Sequence, residues 1–299
     1  MNSKRHVTAL LQAVFVTFLW STSWVLIKFG LRNQLPALTF AGLRYFVAFL
    51  CLIPFVIFNK SERERIINLT QSDWAWLSLL GLVVITLTQG AQFLSLSYLP
   101  AVMVNLVLNL TSVVVGVAGI WLLRESPSSL QWFGVGITVI GVGAYFLPIS
   151  FKGALGLGLL IAVIGMLANA ASSLLGRKMN LQDHLSPLTV TFISMGIGSV
   201  LLLLIGIGTQ GFGSPTLSDW AIIAWLAVLN TAFAFTVWNH TLQTLSAIES
   251  SVINSLMMPQ IAVLAFVFLG ETLSIKEVTG LILVGIGVVV VQRRRTHSV

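Results

Sequence analysis

Apolar stretches long enough to cross a bilayer, which takes about 20 residues each, follow one another along almost the whole chain. They run near residues 8 to 30, 37 to 58, 74 to 96, 100 to 122, 130 to 147, 154 to 175, 187 to 208, 219 to 241, 246 to 269 and 276 to 292. The pattern predicts an all-α polytopic membrane protein with ten transmembrane helices. Short polar breaks separate the stretches, the longest being the charged segment from Asn59 to Ser72, which leaves no room for a soluble domain. Local signals agree with this division. Ser128-Ser129-Leu130-Gln131, Ser246-Ala247-Ile248-Glu249 and Ser274-Ile275-Lys276-Glu277 read as capping boxes opening the fifth, ninth and tenth spans, and Pro100 suits the first turn of the fourth. Gly134 with Gly141, and Gly280 with Gly287, sit seven apart on one face of the fifth and tenth spans, where small residues let backbones approach closely.

The pattern also repeats. At a constant offset of 146, without a gap from Asp73 to Gly143, the second half restates the first. Asp73-Trp74-Ala75 falls on Asp219-Trp220-Ala221, Leu80 on Leu226, Leu99 on Leu245, Ala101 on Ala247, Leu110 on Leu256, Glu125 on Glu271, Ser128 on Ser274, Gly134 on Gly280, and Gly141-Val142 on Gly287-Val288. Asp, Trp, Glu, Ser and Gly matching at one register mark an internal duplication rather than a coincidence of apolar residues. Residues 1–147 form one repeat of five spans, 154–292 the second, and 293–299 a basic tail. An odd number of spans per repeat gives two halves of opposite orientation, the build of a secondary transporter.

Composition and charge sharpen the reading. The chain is 57% hydrophobic and 8% charged, where a soluble domain carries about 25% charged residues, so apolar surface must face lipid. A net charge of +7 would suggest nucleic acid in a soluble protein, but the basic residues follow topology. With the N-terminus inside, Lys4, Arg5, Lys60, Arg63, Arg65, Arg124, Arg177, Lys178 and Arg293-Arg294-Arg295 are cytoplasmic. Lys28, Arg32, Lys152 and Lys276 fall outside and Arg44 lies within a span. That asymmetry places both termini in the cytoplasm of a multi-pass protein of the bacterial inner membrane. No nucleic-acid partner is expected; the terminal arginines read as a membrane-surface anchor. Cys51 is the only cysteine, so an intrachain disulfide or thiolate metal site is excluded. Lys4-Arg5 before an apolar run resembles a signal peptide, but bulky Trp20 and Trp24 and a run continuing to Gly30 indicate an uncleaved first span.

Three stretches carry a family resemblance: Phe18-Leu19-Trp20-Ser21 in the first span, Pro36 through Arg44 opening the second, and Leu269-Gly270-Glu271-Thr272-Leu273-Ser274 followed by Gly280 at the last hairpin. In their order and spacing the chain resembles the EamA-type branch of the drug/metabolite transporter superfamily over essentially its full length. The resemblance implies two inverted five-helix repeats around a central cavity for a small metabolite. The first half departs from it at Arg124-Glu125, where the second has Gly270-Glu271, and no arginine in the seventh span answers Arg44. The two halves are therefore not expected to be functionally equivalent.

Polar residues inside a membrane are functional candidates by default, though many only join helices. Asn105 and Asn109 share one face of the fourth span, and the offset of 146 puts Ser251 and Ser255 on the same face of the ninth, with Asn254 beside them. Inverted repeats would bring both stripes to the midplane, as substrate pathway or as helix packing. Trp20, Trp24 and Lys28 repeat every fourth residue on the first span beside Ser21, and Asn169, Ser172 and Ser173 cluster on its counterpart. Trp20 lies deep enough to form an aromatic wall, or serves as an interface anchor. Gln89 and Gln92, and Trp238, Asn239 and His240, read as gates or as caps of wet helix ends. Arg44 either binds an anion or snorkels to the outer headgroups, the latter being the simpler reading. Pro259 frees the carbonyl of Ser255, as hinge or kink.

The carboxylates argue against catalysis. Asp73 and Asp219 open helices at opposite faces and cannot form a dyad, and Glu125 and Glu271 fail likewise. Glu249 and Glu277 are capping residues, and Glu62, Glu64 and Asp183 belong to loops. With no nucleophile, metal cluster or phosphate-binding loop, neither an enzyme nor an ATP-driven pump is expected, and no cofactor. The expected function is export of a small organic metabolite such as an amino acid by alternating access, without a mid-membrane Asp or Glu proton relay; His240 is left as a weak coupling group. Multidrug efflux and a non-transporting sensor or assembly subunit are the alternatives. The expected partners are the solute and the lipid bilayer, with the oligomeric state, a homodimer included, left open.

Overall fold

The computed structural model describes residues 3–111, 114, 129–146, 153–180, 184–242, 253–254 and 256–292. Among them there are helices and no strands. In chain order they are α1 (Ser3–Arg32), α2 (Ala37–Ile57), α3 (Lys60–Ile67), α4 (Gln71–Tyr98), α5 (Ala101–Asn109), α6 (Ser129–Phe146), α7 (Gly153–Asn180), α8 (Pro187–Gln210), α9 (residues 217–242), α10 (Met257–Leu269) and α11 (Ile275–Gln292). Within α1, α2, α4, α7 and α8 lie runs long and apolar enough to cross a membrane. Leu11, Phe55, Leu204, Val263 and Phe266 are each more than half exposed, a surface that lipid accepts and water would not.

The helix termini follow from the sequence. Thr70 and Asp73 form a reciprocal capping box on α4, and Thr216 and Asp219 do the same on α9, 146 residues later. The predicted box at Ser274 and Glu277 opens α11, with Ser274 N–H donating to Glu277 Oε2 at 2.7 Å and Glu277 N–H returning to Ser274 Oγ at 3.3 Å. The boxes predicted at Ser128 and Ser246 fall outside the described residues. Wide π-helical turns interrupt three helices: Leu82–Gln89 in α4, Val228–Phe233 in α9 and Ala265–Leu269 in α10. Two begin at positions 82 and 228, again 146 apart. Hydroxyls register the difference in pitch. In ordinary α-helix Thr138 reaches back four residues to the Gly134 carbonyl, whereas Thr88 and Thr231 reach back five, to Val83 and Leu226.

The chain folds into two compact units, each drawing on both halves of the sequence: residues 1–25, 99–159 and 234–299 form unit 1, and 26–98 and 160–233 form unit 2. In unit 1, α6 packs along α11, and α5 packs on α10. The predicted glycine face is the α6 contact surface: a Cβ on Gly141 would lie 2.7 Å from Val284 N, and one on Gly280 would lie 2.8 Å from the Gly141 carbonyl. Gly287 meets Gly134 and Thr138, so the two helices run antiparallel with backbones in contact. In unit 2, α8 packs antiparallel on α2, with Gly206 against Thr39, Leu203 against Gly42 and Gly196 against Phe49. Leu77, Leu80, Met179, Leu185, Val190 and Ile193 form a buried cluster there.

One loop expectation changes. The segment after Asn59 holds a helix, α3, whose start Asn59 caps by accepting from the Ser61 and Glu62 amides. Glu62 does not belong to a loop: it is buried on α3 and accepts hydrogen bonds from the hydroxyls of Ser186 and Thr189 at the start of α8. The positive end of α8 and two hydroxyls make that burial tolerable for a carboxylate. At the last hairpin, Gly270 adopts φ 69° and ends α10, and the Glu271 amide donates to the Ala265 carbonyl six residues back. This turn delivers the Glu271 carboxylate to the start of α5, where it accepts from Ala101 N–H at 2.8 Å and Val102 N–H at 3.4 Å.

Candidate functional site

Unit 1 gathers most of the described candidates. On α1, Trp20 stacks obliquely against Phe235 and Trp238 of α9, with ring centroids 5.3 and 5.2 Å away. Phe235 and Trp238 are three residues apart, so one face of α9 presents both rings. One position along α1 from Trp20, buried Ser21 has its Oγ 2.8 Å from the Thr17 carbonyl and 2.9 Å from Gln260 Oε1 of α10. Its single proton serves one or the other. Gln260 Nε2 in turn lies 3.5 Å from Thr17 Oγ1. Trp24, one turn further along α1, is buried.

The asparagine pair stands on α5. Asn109 Nδ2 donates to the Asn105 carbonyl at 2.9 Å and to Asn105 Oδ1 at 3.0 Å. With its oxygen taken, the Asn105 amide turns its Nδ2 inward, and that nitrogen is buried without a hydrogen-bond acceptor among the described residues. Asn105 is 4% exposed. Leaving such a donor unsatisfied costs about 1–3 kcal/mol, so the position favours anything that brings it an acceptor. Helix α10 links the two groups, since it packs on α5 and carries Gln260 to Ser21.

The other candidates distribute differently. Asn254 of unit 1 is exposed, whereas Gln89, Gln92 and Asn169 are half-buried members of unit 2. The Asn169 carbonyl accepts from Ser172 Oγ at 2.8 Å and Ser173 Oγ at 3.0 Å, which gives those serines a local role within α7. The backbone of His240 continues α9; its side chain, like Ser251 and Ser255 entirely, lies outside the described residues.

Sequence reasoning passed over Thr17, Phe235 and Gln260. Thr17 and Gln260 carried the same signal as Asn105, a polar group within an apolar run, and Phe235 could have been found three residues before Trp238. It also misread Arg44. In place of snorkelling to headgroups, Arg44 is enclosed within unit 2 at 4% exposure. Its Nε donates to Thr231 Oγ1 at 3.3 Å, and its guanidinium lies 5.1 and 5.8 Å from the ring centres of Tyr45 and Phe93.

Comparison with known proteins agrees with this architecture. The model of the EamA-like transporter family matches twice, over residues 7–147 and 156–293. An uncharacterized transporter of Archaeoglobus fulgidus is 27% identical over 282 residues, covering 91% of each chain. The uncharacterized transporter YvbV of Bacillus subtilis is 28% identical over 292 residues, covering 93% of this chain and 88% of its own. A solved crystal structure superposes with a TM-score of 0.67 at 16% identity, covering 95% of this chain and 97% of the other.

Proposed function

The chain belongs to the EamA-like transporter family and is a multi-pass membrane transporter rather than an enzyme, and from that premise we propose that it exports a small organic metabolite, such as an amino acid, by alternating access. The observation that carries the reading is the Asn105 amide, buried with a donor that nothing among the described residues accepts. Unit 1 holds it together with the ring cluster of Trp20, Phe235 and Trp238 and the polar trio of Thr17, Ser21 and Gln260. Few polar groups set in an aromatic and apolar lining is how proteins hold small organic solutes.

The topology we propose is ten spans in two inverted repeats, residues 1–147 and 154–292, with both termini cytoplasmic in a bacterial inner membrane. In support, the family model matches once in each half, paired capping boxes and π-helical segments recur at a spacing of 146 residues, and the repeat-related helices α6 and α11 pack antiparallel. Neither Asp nor Glu serves as a mid-membrane proton carrier in this scheme. Glu249→Gln abolishing pH-gradient-driven accumulation while sparing downhill exchange would overturn that part.

Counterflow in proteoliposomes tests the whole. Purified protein preloaded with a mixture of amino acids and related metabolites should exchange at least one labelled solute, and Asn105→Leu should slow that exchange at least about tenfold, the equivalent of one hydrogen bond to the solute. Movement of bulky cationic dyes but no metabolite would favour drug efflux. No movement of any solute would identify a sensor or assembly subunit.

A further inference from the structure

We infer that Arg44 is an oxyanion-binding group, and that the carboxylate or phosphate of a bound solute is its partner within unit 2. This deepens the transport reading, on which it rests, by naming the substrate as an anion or zwitterion.

An arginine side chain stays charged at every physiological pH and offers five N–H donors. Buried without a counter-charge, it is among the costliest groups a protein can hold. Arg44 is 4% exposed, and Nε to the Thr231 hydroxyl is its one hydrogen bond among the described residues. The four hydrogens on its two terminal nitrogens have no acceptor among the described residues. The described carboxylates of unit 2 are engaged elsewhere: Asp73 with Thr70 and His184, Glu62 with Ser186 and Thr189, Asp219 with Thr216 and Asn33, and Glu64 with Lys60. No carboxylate among the described residues of unit 2 answers this cation.

The surroundings fix the guanidinium without neutralising it. Tyr45 and Phe93 offer it their rings, and Phe93 is itself held edge-on by Phe40, with ring centroids 5.2 Å apart. Phe40 fills the hollow beside Gly30, where no Cβ would fit. Thr231 donates its own proton to the Leu226 carbonyl at 2.9 Å, so its lone pairs face Arg44. The π-helical turn makes that five-residue reach available. Thr231 also lies fourteen residues beyond the start of α9 at Leu217, about 21 Å along the axis, which is deep for a bilayer core of about 30 Å. With Nε occupied and rings nearby, the terminal nitrogens remain to form the planar fork that matches a carboxylate or phosphate.

Thermal melting of the purified protein in neutral detergent tests this, with sodium acetate and sodium phosphate as probes against acetamide and sodium chloride at equal ionic strength. The expected result is a saturable rise in melting temperature with acetate or phosphate and none with acetamide or chloride. Arg44→Gln should abolish the rise while raising the melting temperature of the ligand-free protein, because an uncompensated buried charge is gone. Arg44→Lys, a charge without the fork, should bind about ten- to a hundredfold more weakly. Equal responses in wild type and Arg44→Gln would overturn the inference. So would a lowered melting temperature of Arg44→Gln with no oxyanion response in wild type, the mark of a structural cation. A response confined to micelles containing phosphatidylglycerol would assign the site to a lipid headgroup and overturn the solute. These readouts measure binding, so counterflow without any Arg44-dependent response sinks this inference alone, and the response without counterflow sinks the transport reading alone.

Discussion

Replacing Gly141 by alanine should destabilise the protein although alanine is the better helix former. The two effects are separable because α6 carries a control position. A Cβ at Gly141 would stand 2.7 Å from Val284 N and 2.9 Å from both the Gly280 carbonyl and Leu283 Cβ. Two of those three atoms are backbone of α11 and cannot swing aside, so the helices must separate. Overpacking of this kind costs about 1–3 kcal/mol, against a gain of about 0.5–1 kcal/mol for alanine over glycine in a helix interior. At Gly136, five residues earlier on the same helix, a Cβ meets nothing within 4 Å, so Gly136→Ala keeps only the gain. The propensity gain cancels between the variants, leaving a difference of about 1–3 kcal/mol that belongs to the helix contact. At about 2–4 °C per kcal/mol, Gly141→Ala should melt at least about 2 °C below Gly136→Ala. Cys51 is the single thiol and is half-buried, so a thiol-reactive fluorogenic dye reports unfolding directly in detergent. On α11, Gly280→Ala and Gly285→Ala form a second matched pair, the first meeting the Gly141 carbonyl and Tyr145 N at 2.8 Å, the second meeting nothing. Equal melting of Gly141→Ala and Gly136→Ala would refute the argument that backbone contact between α6 and α11 holds unit 1 together.

Glu271→Ala should cost about 1–2 kcal/mol by stripping the acceptor from the first amides of α5, read as a lowered melting temperature that Glu271→Gln partly restores. Asn105→Leu should melt within about 1 kcal/mol of wild type, since Asn109 retains the Asn105 carbonyl as acceptor, and should still lose counterflow; a collapse of both would make the pair packing. Single cysteines at Asn109 and Ser255 in a Cys51→Ser background should react with a small hydrophilic maleimide, and full protection of both in transport-active protein would remove them from any cavity. A green fluorescent protein fused after Val299 should fluoresce, as it does only on the cytoplasmic side, and a fusion active solely outside would reverse the topology.

The sequence was most informative where one chemical need has one solution. Glycines spaced by seven in apolar runs had to be contact surfaces, and Ser274 with Glu277 had to open a helix. Asn105 and Asn109 stood out because amides in an apolar stretch require explanation. Tertiary partners were less legible. Glu62 read as a loop residue because its neighbours Lys60, Ser61, Arg63 and Glu64 are solvated, and nothing local says that Ser186 and Thr189 wait for its carboxylate. Arg44 read as a snorkelling cation because the rule for long basic side chains assumes a route to water, and its closure by Tyr45, Phe93 and Thr231 comes from three segments. Trp20 stands out in the sequence for its depth, whereas nothing in the local apolar run distinguishes Phe235, its ring partner, from a lipid-facing phenylalanine.

The π-helical turns bear on how the family's sequences vary in length. Each such turn accommodates a residue more than an α-helical turn, and removing one residue from it lets the segment relax to ordinary α-helix. A deletion elsewhere in a span rotates everything beyond it by about 100°, carrying contact faces into lipid. Within Leu82–Gln89 or Val228–Phe233 the same deletion exchanges one hydrogen-bonding pattern for another and can spare the flanking faces. Alignments of EamA-like transporters should therefore place single-residue deletions relative to this chain, where they fall inside spans, at these two stations.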